Sequence, residues 1–86
     1  MIYEEVAHII KDQKLKNYLF FEEPNYEPNH IGILKKDNIY EVFATSKRGA
    51  ISGIKSFNLE EEALENFISR LESLNRLLQK KLFKGY

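Results

Sequence analysis

Apolar side chains recur at Ala63, Leu64, Phe67, Ile68, Leu71, Leu74, Leu78 and Leu82. Spacings of three and four place them on one face of an α-helix. A helix of about 25 residues is about 37 Å long, whereas a compact chain of 86 residues has a diameter of about 31 Å. One helix therefore runs the full length of the molecule with its last turn overhanging, and the rest of the chain must build the surface that covers its stripe. Asn58 followed by Glu61 has the spacing of a capping box and marks where this helix begins. Glu60, Glu61, Glu62 and Glu65 crowd its first turns and Lys80, Lys81 and Lys84 its last, so both ends complement the helix dipole.

The covering surface is legible in the preceding residues. Ile2, Tyr3, Val6, Ala7, Ile9 and Ile10 keep helical spacing and predict a first amphipathic helix over 2–15. Tyr18-Leu19-Phe20-Phe21 is a short aromatic run that can form a first strand. Strand-like runs follow at 31–36, 39–45 and 50–57. Asp37-Asn38 supplies a two-residue turn between the first two, and Ser46-Lys47-Arg48-Gly49 a glycine-containing turn between the next two. Apolar residues on both parities of Ile39-Tyr40-Glu41-Val42-Phe43 fit a central strand covered on one face, with Tyr40 on the other. The expected fold is α+β and fills a single domain, residues 1–86. An N-terminal helix, an antiparallel meander of three to four strands and a long C-terminal helix follow in order, both helices on one sheet face.

Charge and residue types narrow the function. Thirteen Lys and Arg balance thirteen Asp and Glu, so the basic surplus that neutralises phosphates is missing. Residues 66–86 carry Arg70, Arg76, Lys80, Lys81 and Lys84 against Glu72, a net of +4, which leaves −4 on the first 65 residues. The helix–strands–helix order is also that of double-stranded RNA-binding domains. Those domains open the second helix with lysines that straddle phosphates, whereas here the helix opens Asn58-Leu59-Glu60-Glu61-Glu62. Lys35, Lys36, Lys47 and Arg48 read as solubilising charges at a sheet edge and hairpin tip. A nucleic-acid-binding module is thus the least favoured reading.

The chain has no cysteine, hence no thiolate nucleophile or thiolate metal site, and this suits a cytoplasmic protein. Its acidic start, Met1-Ile2-Tyr3-Glu4-Glu5, is unlike a signal peptide, and no apolar run reaches membrane-spanning length. Glu4, His8 and Asp12 stack at i, i+4 and i+8, but a straight row cannot close around an ion, and the row reads as a solvated face. His30 lies where a loop becomes a strand, with no nucleophile beside it. Gly-x-Ser-x-Gly, His-Glu-x-x-His and phosphate-loop patterns do not occur. No catalytic residue, cofactor or metal is expected.

Two features suit contact with another protein. Glu22-Glu23-Pro24-Asn25-Tyr26-Glu27-Pro28-Asn29 holds both prolines of the chain and sets three acids around one tyrosine. The prolines limit the entropy lost on binding, acids steer the encounter with a basic surface, and a buried aromatic anchors it. Glu22, Glu23, Tyr26 and Glu27 are therefore the expected partner-binding residues. The alternative is a structural or regulatory homodimer in which Leu78, Leu82 and Phe83 of the overhanging helix pack on a second copy.

Tyr40-Glu41-Val42-Phe43-Ala44-Thr45-Ser46-Lys47-Arg48-Gly49-Ala50, with Phe57 and then Glu62-Ala63-Leu64-Glu65-Asn66-Phe67-Ile68-Ser69-Arg70-Leu71, resembles small bacterial immunity proteins of polymorphic toxin systems. In these a strand, an Arg-Gly-type turn, a second strand and an Ala-Leu-x-x-Phe helix recur. The resemblance covers roughly residues 39–75 and implies a cytoplasmic, non-enzymatic protein that binds a cognate toxin and blocks its active site or an essential surface.

Overall fold

A computed structural model describes the backbone of residues 1–84 and the side chains of residues 1–80. The chain forms α1 (Tyr3–Asp12), β1 (Tyr18–Phe20), β2 (Ile31–Lys36), β3 (Ile39–Thr45), β4 (Ile51–Phe57) and α2 (Glu60–Lys84). The four strands make one sheet in the order β1-β2-β3-β4. Each element sits within a few residues of its expected place. α1 is shorter than the stripe from Ile2 suggests, and α2 opens on the Leu59 carbonyl, which accepts from the Ala63 N–H at 3.2 Å.

The sheet is mixed, which corrects the expected antiparallel meander. β2, β3 and β4 are antiparallel neighbours, but β1 runs parallel to β2 with Tyr18 beside Ile31 and Phe20 beside Ile33. Parallel neighbours ordinarily need a crossover of a dozen or more residues. Residues 21–30 suffice because β1 is only three residues long. The return is held at both ends: Phe21 N–H donates to the Ile33 carbonyl at 3.0 Å, and Ile31 N–H to the Asn17 carbonyl at 3.0 Å. Asn75 of α2 fixes the approach to β1, accepting from Lys16 N–H at 2.8 Å and donating to the Lys16 carbonyl at 3.0 Å.

Residues paired in register share a sheet face. Ile31 and Ile33 of β2, Tyr40, Val42 and Ala44 of β3, and Phe57 of β4 face the helices. They pack with Val6 and Ile10 of α1, Leu15, and Ala63, Leu64, Phe67, Ile68 and Leu71 of α2. Both helices therefore lie on the same face. Phe67 is fully buried and stacks on Phe20 at 5.6 Å between centroids, and Phe20 stacks on Tyr3 at 4.6 Å. Among the described residues, the fully buried side chains of α2 end at Leu71, with Leu74 half-buried beyond it.

The opposite face bears the row Leu19, Gly32, Phe43. The expected outward tyrosine is thus replaced: Tyr40 packs toward the core, and Phe43 is the aromatic on the helix-free face. Phe43 is nonetheless only 3% exposed. Its ring lies flat over Gly32, where a Cβ would overlap the ring atoms. A residue without a side chain in mid-strand weakens the strand by itself; here the gap is the seat of the Phe43 ring. Gly32→Ala is expected to lower stability by about 1–3 kcal/mol through overpacking, read as a fall in the urea midpoint at unchanged slope. Gly32→Ala combined with Phe43→Leu should recover part of that loss.

Candidate protein-binding site

The segment between β1 and β2 is pinned to the β3–β4 turn through one buried hydroxyl. Thr45, the last residue of β3, is 6% exposed. Its Oγ1 donates to the Glu27 carbonyl at 2.8 Å and accepts from the His30 N–H at 2.7 Å. Backbone bonds from Thr45 N–H to the His30 carbonyl at 2.8 Å and from Asn29 N–H to the Ser46 carbonyl at 3.1 Å complete the seam. The turn is closed on itself by Ser46, whose N–H donates to the Ala50 carbonyl at 2.9 Å and whose Oγ accepts from the Arg48 and Ala50 amides.

Gly49 is where the two segments touch. It sits at φ 78 in the turn and is buried, and a Cβ there would run into the Tyr26 carbonyl oxygen. Position 49 thus needs glycine for both its backbone conformation and the close approach of the loop. Tyr26, Phe21 and Asn29 also lie in the left-handed region, at φ 63, 57 and 56. For Tyr and Phe that region costs roughly 1–2 kcal/mol each, whereas Asn tolerates it, and the bonds to Thr45 and Ser46 help hold the loop in its shape against this cost. The result is a tyrosine 85% exposed on an anchored backbone.

Of the four residues expected to bind a partner, Glu23 and Tyr26 line a cleft together with Pro24, Arg48, Gly49, Ala50 and Ile51. Its volume is about 540 Å³. Glu22 and Glu27 are exposed on the same loop but do not line it. Among the described residues, no basic group lies within 4.0 Å of the carboxylates of Glu22, Glu23 or Glu27; the ion pairs are His8–Asp12 at 3.2 Å and Lys36–Glu41 at 3.3 Å. The loop therefore presents unneutralised negative charge. Arg48, read from the sequence as a solubilising charge, forms part of the cleft wall, and Ile51 part of its lining. The glycine of the turn was visible in the sequence, but its contact with Tyr26 was not.

The remaining candidates are placed as follows. His8 pairs with Asp12 on the exposed face of α1, and the His30 ring contacts the Pro28 carbonyl through Nδ1 at 2.9 Å. Among the described residues, no group of three His, Cys, Asp or Glu could hold a metal ion, and no helix is long and apolar enough to cross a membrane. Leu78 is half-buried on α2, while the side chains of Leu82 and Phe83 lie outside the described residues. Arg70, beside the β4 bulge at Gly53, has its pKa lowered by burial.

The fold and site define a small α+β protein with an anchored acidic loop that presents an exposed tyrosine beside a cleft. The chain belongs to the Immunity protein 59 family, whose model matches residues 2–85. No curated protein and no solved structure matches it significantly.

Thr45→Val keeps the shape of this residue and removes the hydroxyl, leaving two loop groups short of a partner. It is expected to cost about 1–3 kcal/mol in chemical denaturation, and to speed amide exchange at His30 by at least tenfold over the exchange rate of the β2–β3 ladder.

Proposed function

We propose that this protein neutralises a cognate toxin by binding it in a stoichiometric complex, without catalysis, in the cytoplasm. Membership of an immunity-protein family over residues 2–85 carries the reading. The toxin is a basic protein, and Glu22, Glu23, Tyr26 and Glu27 form the contact surface. Three unneutralised carboxylates give long-range attraction to a basic partner, which raises the association rate at low salt. Tyr26 supplies what charge alone lacks, a large side chain held by few torsions that loses contact with water on binding. An anchored loop also reduces the ordering cost that weakens flexible binders.

Two sets of measurements test this. Tagged protein is first used to capture its partner from host lysate, and the partner's toxicity or enzymatic activity is then titrated with the chain. Inhibition complete at one equivalent is expected; neutralisation by catalytic amounts would show that the chain is an enzyme. With Glu22, Glu23 and Glu27 all changed to Lys, affinity should fall at least a hundredfold and the salt dependence of association should vanish. Unchanged affinity would move the contact surface elsewhere while leaving the inhibitor reading intact.

The same reading takes residues 1–86 as one folding unit. Far-ultraviolet circular dichroism and tyrosine fluorescence should then report one coincident unfolding transition, and two separated midpoints would refute it.

A further inference from the structure

We propose that the cleft between the 22–29 loop and the β3–β4 turn receives an arginine side chain displayed by the partner, the guanidinium lying between the Glu23 carboxylate and the Tyr26 ring. This rests on the inhibitor reading and specifies the chemistry of its contact surface.

The lining divides into two parts that match the two parts of an arginine. Pro24, Ala50 and Ile51 offer apolar surface, which suits the aliphatic stem of a long side chain. Glu23 and Tyr26 line the same cleft, and a planar cation is the group that satisfies both. A guanidinium donates two parallel hydrogen bonds to a carboxylate and stacks on an aromatic face, which an ammonium does less well. Glu23 has no basic neighbour within 4.0 Å among the described residues to compete for it. Arg48 also lines the cleft and, as a like charge, works against a bound guanidinium, so its removal should strengthen binding. Glu22 and Glu27, exposed outside the cleft, add to the negative field that draws the cation in.

A volume of about 540 Å³ holds one long side chain with room for water. The cleft is also preformed. Gly49 lets the Tyr26 carbonyl sit against the turn, and Thr45 ties the loop to the end of β3. The side chain thus enters an existing space and does not have to open one.

The test needs no knowledge of the partner. The isotope-labelled protein is titrated with N-acetyl-arginine methylamide and, separately, with N-acetyl-citrulline methylamide, a neutral isostere of nearly the same shape. The expected result is saturable amide shifts at residues 23–26 and 49–51 with the arginine probe, and at least fivefold weaker binding of citrulline. Glu23→Gln should abolish the difference between the probes, and Arg48→Ala should tighten the arginine probe two- to fivefold. Equal binding of the two probes would overturn the cation assignment in favour of a purely apolar occupant. Shifts centred on Glu60–Glu62, or none that saturate, would overturn the site itself. Failure of toxin neutralisation would not alter these spectra. Loss of the probe effect with neutralisation intact would retire the cleft alone.

Discussion

Burial of the α2 stripe is the constraint on which the rest of the structure depends. Phe67, Leu64 and Leu71 are completely removed from water, and each such side chain stabilises the folded state by roughly 1.5–3 kcal/mol. A chain of 86 residues has no second core to fall back on. The helix needs a flat apolar partner, and β2 and β3 provide it with Ile31, Ile33 and Val42. α1 then closes the remaining side of Phe67 through the Tyr3–Phe20 stack. Because both helices occupy one face, the 22–29 loop and the β3–β4 turn at the end of the sheet lie outside this core.

That division explains why the loop can carry positive φ angles at Phe21, Tyr26 and Asn29. Phe21 packs against the edge of the core, while Tyr26 and Asn29 are exposed, so their strain stays at the surface. Beyond Phe21 the loop is tied to the sheet by backbone bonds at Asn29 and His30 and by two side-chain features, the hydroxyl of Thr45 at the end of β3 and the missing side chain of Gly49. One is a hydrogen-bonding requirement and the other a steric one, and neither contributes apolar burial.

Much of the fold was legible from periodicity. The α2 stripe and the turn residues at Asp37 and Gly49 each signal their element through local physics, and the strands at 31–36 and 39–45 fall where the pattern sets them. The parallel pairing of β1 was not legible. It depends on Asn75, far along the chain, holding Lys16, and on a ten-residue return whose direction no local preference encodes. The exchange of Tyr40 and Phe43 between faces has the same origin, since Phe43 can bury itself on the open side only because Gly32 lies opposite it in the neighbouring strand. For the site, the acidic loop with its tyrosine was visible as composition. The cleft was not, because its walls come from segments more than twenty residues apart that meet at one glycine.

Thr45 and Gly49 lie outside the group of loop side chains that face outward, and this has a consequence for substitution. Exchanges at positions 22, 23, 25 and 26 can redraw charge and shape at the surface while the two anchors keep the backbone path. Side chains at these tips can change without endangering folding, whereas a mutation at either anchor would displace all of them at once. Tolerance and constraint are thereby allotted to two segments that are distant in sequence and adjacent in space.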